Sequence, residues 1–129
     1  MLNEKKVFAI IPARGGSKGI PRKNLYRLGK HSLLERAIHL GRDCQYVDHV
    51  YVSTDDPEMW DISRKYDAHT RELRPPELAT DTAKTIDVIK HLIPELNMDD
   101  SYVLLLQPTS PLRTTEDANQ VCGLLEGRL

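Results

Sequence analysis

The sequence holds little that would mark a secreted, metal-bound or membrane-embedded protein. There are two cysteines in 129 residues, Cys44 and Cys122, far apart in the chain. No secretory leader is read, so they are expected as free buried thiols and not as a disulfide. The start, Met1-Leu2-Asn3-Glu4-Lys5-Lys6, has no apolar core of the kind a signal peptide needs. No apolar run approaches the ~20 residues of a membrane span. No Asn-x-Ser/Thr acceptor occurs. The net charge is −1, so the broad basic surface of a nucleic-acid binder is missing. The five histidines, His31, His39, His49, His69 and His91, share no ligand spacing with each other or with cysteine, and no zinc site is read. What these absences leave is a cytoplasmic chain, residues 1–129, expected to form one domain around one core.

Acidic residues are also missing from one stretch, and there the absence is informative. Between Arg14 and Lys30 stand six basic residues and no acidic one. The stretch follows Val7-Phe8-Ala9-Ile10-Ile11, which has the length and β-branched content of a buried strand. It then runs Pro12-Ala13-Arg14-Gly15-Gly16-Ser17-Lys18-Gly19-Ile20-Pro21-Arg22-Lys23-Asn24. Its glycines permit backbone conformations closed to other residues and a close approach to a ligand. It is not a Walker A loop, since no Gly-Lys-Ser/Thr closes it, and its glycines lack the dinucleotide spacing. Two readings stand side by side: a solvated basic loop, or a cradle for an anion built from backbone N–H groups and mobile cations.

Further along, Ser32-Leu33-Leu34-Glu35 has the form of a capping box. Leu33, Leu34, Ala37, Ile38 and Gly41 follow on one helical face, with Arg36, His39 and Arg42 off it as solvated residues. His49 to Thr54 reads as a second strand. Asp56 and Pro57 suit an N-cap and first helical residue, with Met59, Trp60 and Ile62 in the helix and Trp60 in the core. Ala68 to Thr70 suggests a short strand. A third helix is expected from Thr82 or Ala83, with Ile86, Ile89, Leu92 and Ile93 inward, and Pro94 ending or kinking it. Asn97 to Asp100 reads as a turn. Tyr102 to Leu106, almost wholly apolar, is expected at the centre of a parallel sheet. Thr114 or Thr115 caps a last helix with Ala118, Val121, Cys122 and Leu125 inward, and Gly127 at its C-cap.

Strands alternating with amphipathic helices indicate an α/β fold, an open and mainly parallel Rossmann-like sheet with helices on both faces. Such sheets bind ligands beyond the carboxyl ends of their strands, where the strand order reverses. The loops after Ile11, Thr54 and Leu106 are expected to meet there, bringing Arg14, Lys18 and Lys23 near Gln107 and Arg113. The chemistry that suits the basic loop is nucleotidyl transfer, in which the work is positioning and neutralising phosphate charge. Arg14 offers a bidentate grip, Lys18 and Lys23 mobile point charges, and Asn24 a bond to a ribose hydroxyl or a phosphate. Leu73 to Thr85 is a proline-stiffened loop feeding a helix, explicable as capping and turn chemistry alone. In Val52-Ser53-Thr54-Asp55-Asp56, Asp55 is a candidate for the site, but a strand-end turn and a cap account for both carboxylates and are the preferred reading.

Three motifs in order resemble the acylneuraminate (sialic acid) cytidylyltransferase family: Pro12 to Asn24, Arg74 to Thr85, and Gln107-Pro108-Thr109-Ser110-Pro111-Leu112-Arg113. The resemblance runs from about Val7 to Leu125. It implies transfer of CMP from CTP to the anomeric hydroxyl of a nonulosonic acid, with release of pyrophosphate. It implies catalytic roles for Arg14, Lys18 and Lys23, and a nucleotide site of Ala13, Arg14, Gly15, Gly16, Ser17, Lys18, Lys23, Asn24, Arg74, Ala83 and Thr85. Of these, Arg74, Ala83 and Thr85 would read the cytosine, with Thr85 where the family usually has Ser. Gln107, Thr109 and Ser110 would face the sugar acid, and this loop sides with the sialic-acid branch against the Kdo branch. The family implies Mg²⁺ and a homodimer, yet its acidic metal ligands and dimerisation element are not found here. The chain is therefore expected to be the N-terminal part of such an enzyme. The alternatives are a non-catalytic CTP-binding fragment or relic, or a cytidylyltransferase for legionaminic or pseudaminic acid.

Overall fold

Val7–Pro12 form strand β1, buried along nearly its whole length. The computed structural model describes residues 1–15, 23–66, 68, 74–78, 84–95, 100–108 and 114–126. After β1 come a short 3-10 turn at Lys23–Leu25, β2 (Arg27–Leu28), β3 (His31–Ser32), helix α1 (Leu33–Asp43) and β4 (His49–Ser53). Then follow α2 (Pro57–Lys65), a 3-10 turn at Pro76–Leu78, α3 (Thr85–Glu95), β5 (Tyr102–Leu105) and α4 (Thr115–Leu125).

The main sheet has the order β4-β1-β5, and both pairings are parallel. Ile10 sits opposite Tyr51 on one side and Leu105 on the other. The chain therefore leaves β1 for a neighbour on one side and later returns to the other, which makes the end of β1 the point where the order reverses. This is the α/β, parallel-sheet class expected from the alternating pattern.

Side chains of β1 alternate between two layers, as strand geometry requires. Ala9 and Ile11, with Val50 and Val52, pack against Leu34 and Ile38 of α1 and Met59 of α2. Phe8 and Ile10, with Tyr51, pack against Val88 and Leu92 of α3. A third cluster joins Leu2, Val7 and Cys44 to Ala118 and Cys122 of α4. Ile10, Ile11, Leu34 and Ile38 are fully buried, each worth about 1.5–3 kcal/mol against exposure. Both cysteines are buried and free. Burial, with Cys44 close by, pushes the Cys122 thiol up to about 11.

The helix starts form as their sequences dictate. Ser32 accepts from the Glu35 N–H (3.1 Å), and the Glu35 carboxylate accepts from the Ser32 N–H (2.7 Å), closing the expected capping box. Asp56 caps α2 by accepting from the N–H groups of Glu58 and Met59, with Pro57 just inside. Thr114 and Asp117 form a second capping box on α4.

Other expectations are corrected. Among the described residues β5 is an edge strand and β1 the central one; Val103 is exposed. Apolar composition marks burial on both faces, and it does not say which strand lies in the middle. On α3 Leu92 and Ile93 pack inward as expected, joined by Val88, but Ile86 is exposed. At 100° per residue Ile86 lies nearly opposite Val88. On α4 Ala118 and Cys122 face inward, whereas Val121 and Leu125 are exposed. Pro94 does not end α3, which continues to Glu95. Trp60 is only half-buried and carries the Arg64 guanidinium 4.9 Å above its ring. His39 is half-buried, in edge-on contact with His31 and Tyr66. Of the short strand expected at 68–70 only Ala68 is described, buried and donating its N–H to the Ser63 carbonyl; most of the turn at 97–100 and Gly127 lie outside the described residues.

Two small features were not foreseen. Arg27–Leu28 and His31–Ser32 pair as a hairpin across Gly29 and Lys30, with Gly29 at φ +71°. A glycine at the first central position of a two-residue loop was the signal for it. At the N-terminus, Asn3 and Glu4 both take positive φ, and Leu2 and Lys5 exchange two backbone hydrogen bonds. This tight turn seats Leu2 in the core.

Candidate functional site

Parallel pairing sets the carboxyl ends of β1, β4 and β5 along one sheet edge. The Ala13 N–H donates to the Ser53 carbonyl at 2.9 Å, carrying the β1–β4 pairing past the strand end. Ala13 is fully buried, so its side chain belongs to the core and only its backbone borders the crevice. Arg14 follows, half-buried. Its carbonyl accepts from the side-chain amide of Asn24 at 3.2 Å, and Asn24 is itself buried. Asn24 thus closes the base of the loop from within, a role that differs from the ribose or phosphate contact expected of its amide.

Gly15 is held from the neighbouring strand. Its N–H donates to Asp55 Oδ1 at 2.8 Å. A Cβ built on Gly15 would stand 2.8 Å from Asp56 Oδ2 and 3.1 Å from Asp56 Cβ. The glycine is required by this close approach to the turn after β4. That turn is firm in its own right: the Asp56 N–H donates to the buried Thr54 hydroxyl at 3.1 Å. The first glycine N–H is therefore used within the protein, and an anion would have to be met by the loop that follows.

Arg74 enters from the next loop and is almost completely buried. Its Nε donates to Ser53 Oγ at 3.1 Å, its Nη2 to the Ser53 carbonyl at 2.7 Å and its Nη1 to the Leu78 carbonyl at 3.2 Å. Its own N–H donates to the Thr54 carbonyl. Burial lowers the Arg74 guanidinium from its ordinary value, the Asp55 carboxylate opposes that, and the Arg14 cation adds to it. The charges of Asp55 and Arg14 therefore both reach Arg74. Arg74 was expected to read a base, and the structure uses three of its N–H groups to tie the end of β4 to the 74–78 segment.

Thr85 is half-buried at the start of α3. Gln107 is exposed just past β5, between buried Leu106 and buried Pro108, at the same sheet edge. Gly16, Ser17, Lys18, Ala83, Thr109, Ser110 and Arg113 lie outside the described residues, as does the side chain of Lys23. Ser53 is not singled out by the sequence, and Asp55 is weighed there as a site candidate and set below a strand-end turn. The signal for both was present, a polar Ser-Thr-Asp run closing a strand that pairs beside the glycine loop. Among the described residues no group of three histidines, cysteines or carboxylates converges to hold a metal ion. The two carboxylates nearest the loop are engaged, Asp55 on Gly15 and Asp56 on the cap of α2. These residues do not make a Mg²⁺ cage. Nor is any described helix long and apolar enough to cross a membrane.

A family model described as cytidylyltransferase matches residues 8–126. The chain belongs to the cytidylyltransferase family. Among its relatives is the N-acylneuraminate cytidylyltransferase of Escherichia coli, 42% identical over 108 residues, which cover 84% of this chain and 25% of the relative. The CMP-N,N'-diacetyllegionaminic acid synthase of Legionella pneumophila is 37% identical over 114 residues, covering 86% of this chain and 49% of that one. A solved structure of a CMP:2-keto-3-deoxy-manno-octonic acid synthetase complexed with CTP superposes with a TM-score of 0.76 at 19% identity. It covers 94% of this chain and 47% of its own, and it establishes the shared cytidylyltransferase fold. The chain spans about half, or less, of the length of the relatives it matches.

Proposed function

We propose that this chain forms the CTP-binding side of a nucleotidyl transfer to a sialic-acid-type nonulosonic acid. The anomeric hydroxyl of the acid attacks the α-phosphate of CTP. The bond from that phosphorus to the bridging oxygen breaks, pyrophosphate leaves, and the hydroxyl proton is lost to solvent or base. The observation that carries this reading is the glycine-rich cationic loop emerging at the switch point of a parallel sheet, with Arg14 beside Arg74 at its root. Arg14, Lys18 and Lys23 neutralise the triphosphate, and the backbone of 15–18 follows it. Arg74, Ala83 and Thr85 bound the cytosine, while Gln107, Thr109 and Ser110 meet the sugar acid. Mg²⁺ belongs to this chemistry by family resemblance, and no step is assigned to it. The reading locates the reaction in the cytoplasm and allows a homodimer.

A second reading is a CTP-binding chain without turnover of its own. Calorimetric titration with CTP, using ATP and UTP as controls, tests the binding common to both. Incubation with CTP and a panel of sialic, legionaminic and pseudaminic acids then separates them. Release of pyrophosphate with one acid supports the enzyme, and loss of most of it in Arg14→Ala and Lys23→Ala assigns the loop. Selective CTP binding without product supports the second reading. Failure of the folded protein to prefer CTP over ATP and UTP overturns both.

A further inference from the structure

We propose that Asp55 is a positioning residue for the glycine-rich loop, holding Gly15 so that Arg14 and Arg74 stay together at the root of the crevice. The inference rests on the nucleotide-binding reading above and adds to it a residue with no assigned role. Three observations carry it. Asp55 Oδ1 accepts the Gly15 N–H at 2.8 Å, a bond between residues forty positions apart. Asp56 lies so close to Gly15 that a side chain there would force the Asp56 side chain to shift. The loop is thus fixed against the turn after β4 at one point, and Asp55 supplies the polar half of that contact.

The third observation concerns charge. The Arg14 cation disfavours the buried Arg74 guanidinium, and the Asp55 carboxylate acts on Arg74 in the opposite sense. Arg74 is held by Ser53 and Leu78. Asp55 in turn is bonded to the root of the loop that carries Arg14.

The proposal runs against simple electrostatics, which makes it testable. Removing a carboxylate beside a triphosphate site should strengthen anion binding if charge alone matters. Positioning predicts the reverse. The experiment compares wild type, Asp55→Ala and Asp55→Asn by calorimetric titration with CTP and with inorganic tripolyphosphate. It also follows exchange of the Gly15 amide by NMR. Asp55→Ala should weaken both ligands by about tenfold or more, the scale of a hydrogen bond to a charged group. Its Gly15 amide should exchange faster by a similar factor. Asp55→Asn keeps an acceptor, so its Gly15 amide should remain protected and its binding should stay within about threefold of wild type. Unchanged or tighter binding in Asp55→Ala overturns the proposal. So does a Gly15 amide that exchanges as in wild type. If Asp55→Ala fails to fold, Asp55→Leu, of similar size and without an acceptor, takes its place under the same criteria: a Gly15 amide as protected as in wild type overturns the proposal. If wild type itself binds no CTP, the nucleotide reading has failed, and Gly15 exchange alone decides whether Asp55 holds the loop.

Discussion

Arg74 shows how one side chain can serve two ends, and how to separate them. Motif reasoning made it a reader of the base. The structure gives it three side-chain hydrogen bonds to Ser53 and Leu78 in a nearly dry setting. A buried guanidinium with several carbonyl partners is costly to delete, because the acceptors left behind lose their donors without regaining water. Arg74→Ala should therefore lower the ligand-free unfolding free energy by about 2–4 kcal/mol, read as a reduced urea midpoint at constant slope. Arg74→Lys should recover only part of this, since one ammonium cannot match the guanidinium fork. If Arg74 acted only on the base, ligand-free stability would be unchanged in both. The same lesson holds for Asn24 and Gly15. Residue type points to the loop, but the partners of each N–H depend on how closely the turn after β4 approaches it.

At the scale of elements, the helices were legible where local chemistry decides and illegible where packing does. The capping box at Ser32 and Glu35, and the Asp56-Pro57 start, follow from short-range hydrogen bonding and were read directly. The inner faces of α3 and α4 were misjudged because several apolar residues compete for each stripe. Val88 and Leu92 win on α3 since they meet Phe8, Ile10 and Tyr51. Gly41 is the sharper case. It was read as one of several residues on an inner face, and it proves to be where α1 lies closest to the sheet. An added Cβ would sit 3.1 Å from Val50 Cγ2, 3.2 Å from Leu106 Cδ1 and 3.4 Å from Ala9 Cβ. Gly41→Ala sets about 1 kcal/mol of helix propensity against this crowding, so its effect should be small. Gly41→Val adds branched bulk where neither strand can withdraw and should destabilise by about 1–3 kcal/mol. Thermal melts of the two variants check the ordering, and a Gly41→Val protein as stable as wild type would refute the close contact.

For the whole molecule, the parallel sheet and the gathering of loops at one edge were legible because βα alternation leaves few topologies open. The position of β5 at the edge was not, since its pairing depends on long-range order that composition does not encode. The same long-range closure fixes how the fold responds to acid. Asp48 joins the chain start to the sheet: burial works to raise its pKa, but the Val7 N–H, the N-terminal ammonium and His49 outweigh that and hold it below the ordinary value. Glu35 joins β3, α1 and α2: burial again opposes, and the Ser32 N–H, the Tyr66 hydroxyl and Arg27 prevail. Both carboxylates therefore have folded pKa values below their unfolded ones. Each contributes stability that is fully present above the unfolded value and is lost as pH falls through the folded one. Stability should hold from neutral pH down to roughly the ordinary carboxylate range and decline below it. Asp48→Asn should be less stable than wild type at neutral pH and should lose less on acidification. Urea midpoints for both proteins between neutral and acid pH check this. Parallel pH profiles would mean that the tie between Met1, Val7 and Asp48 contributes nothing to acid sensitivity.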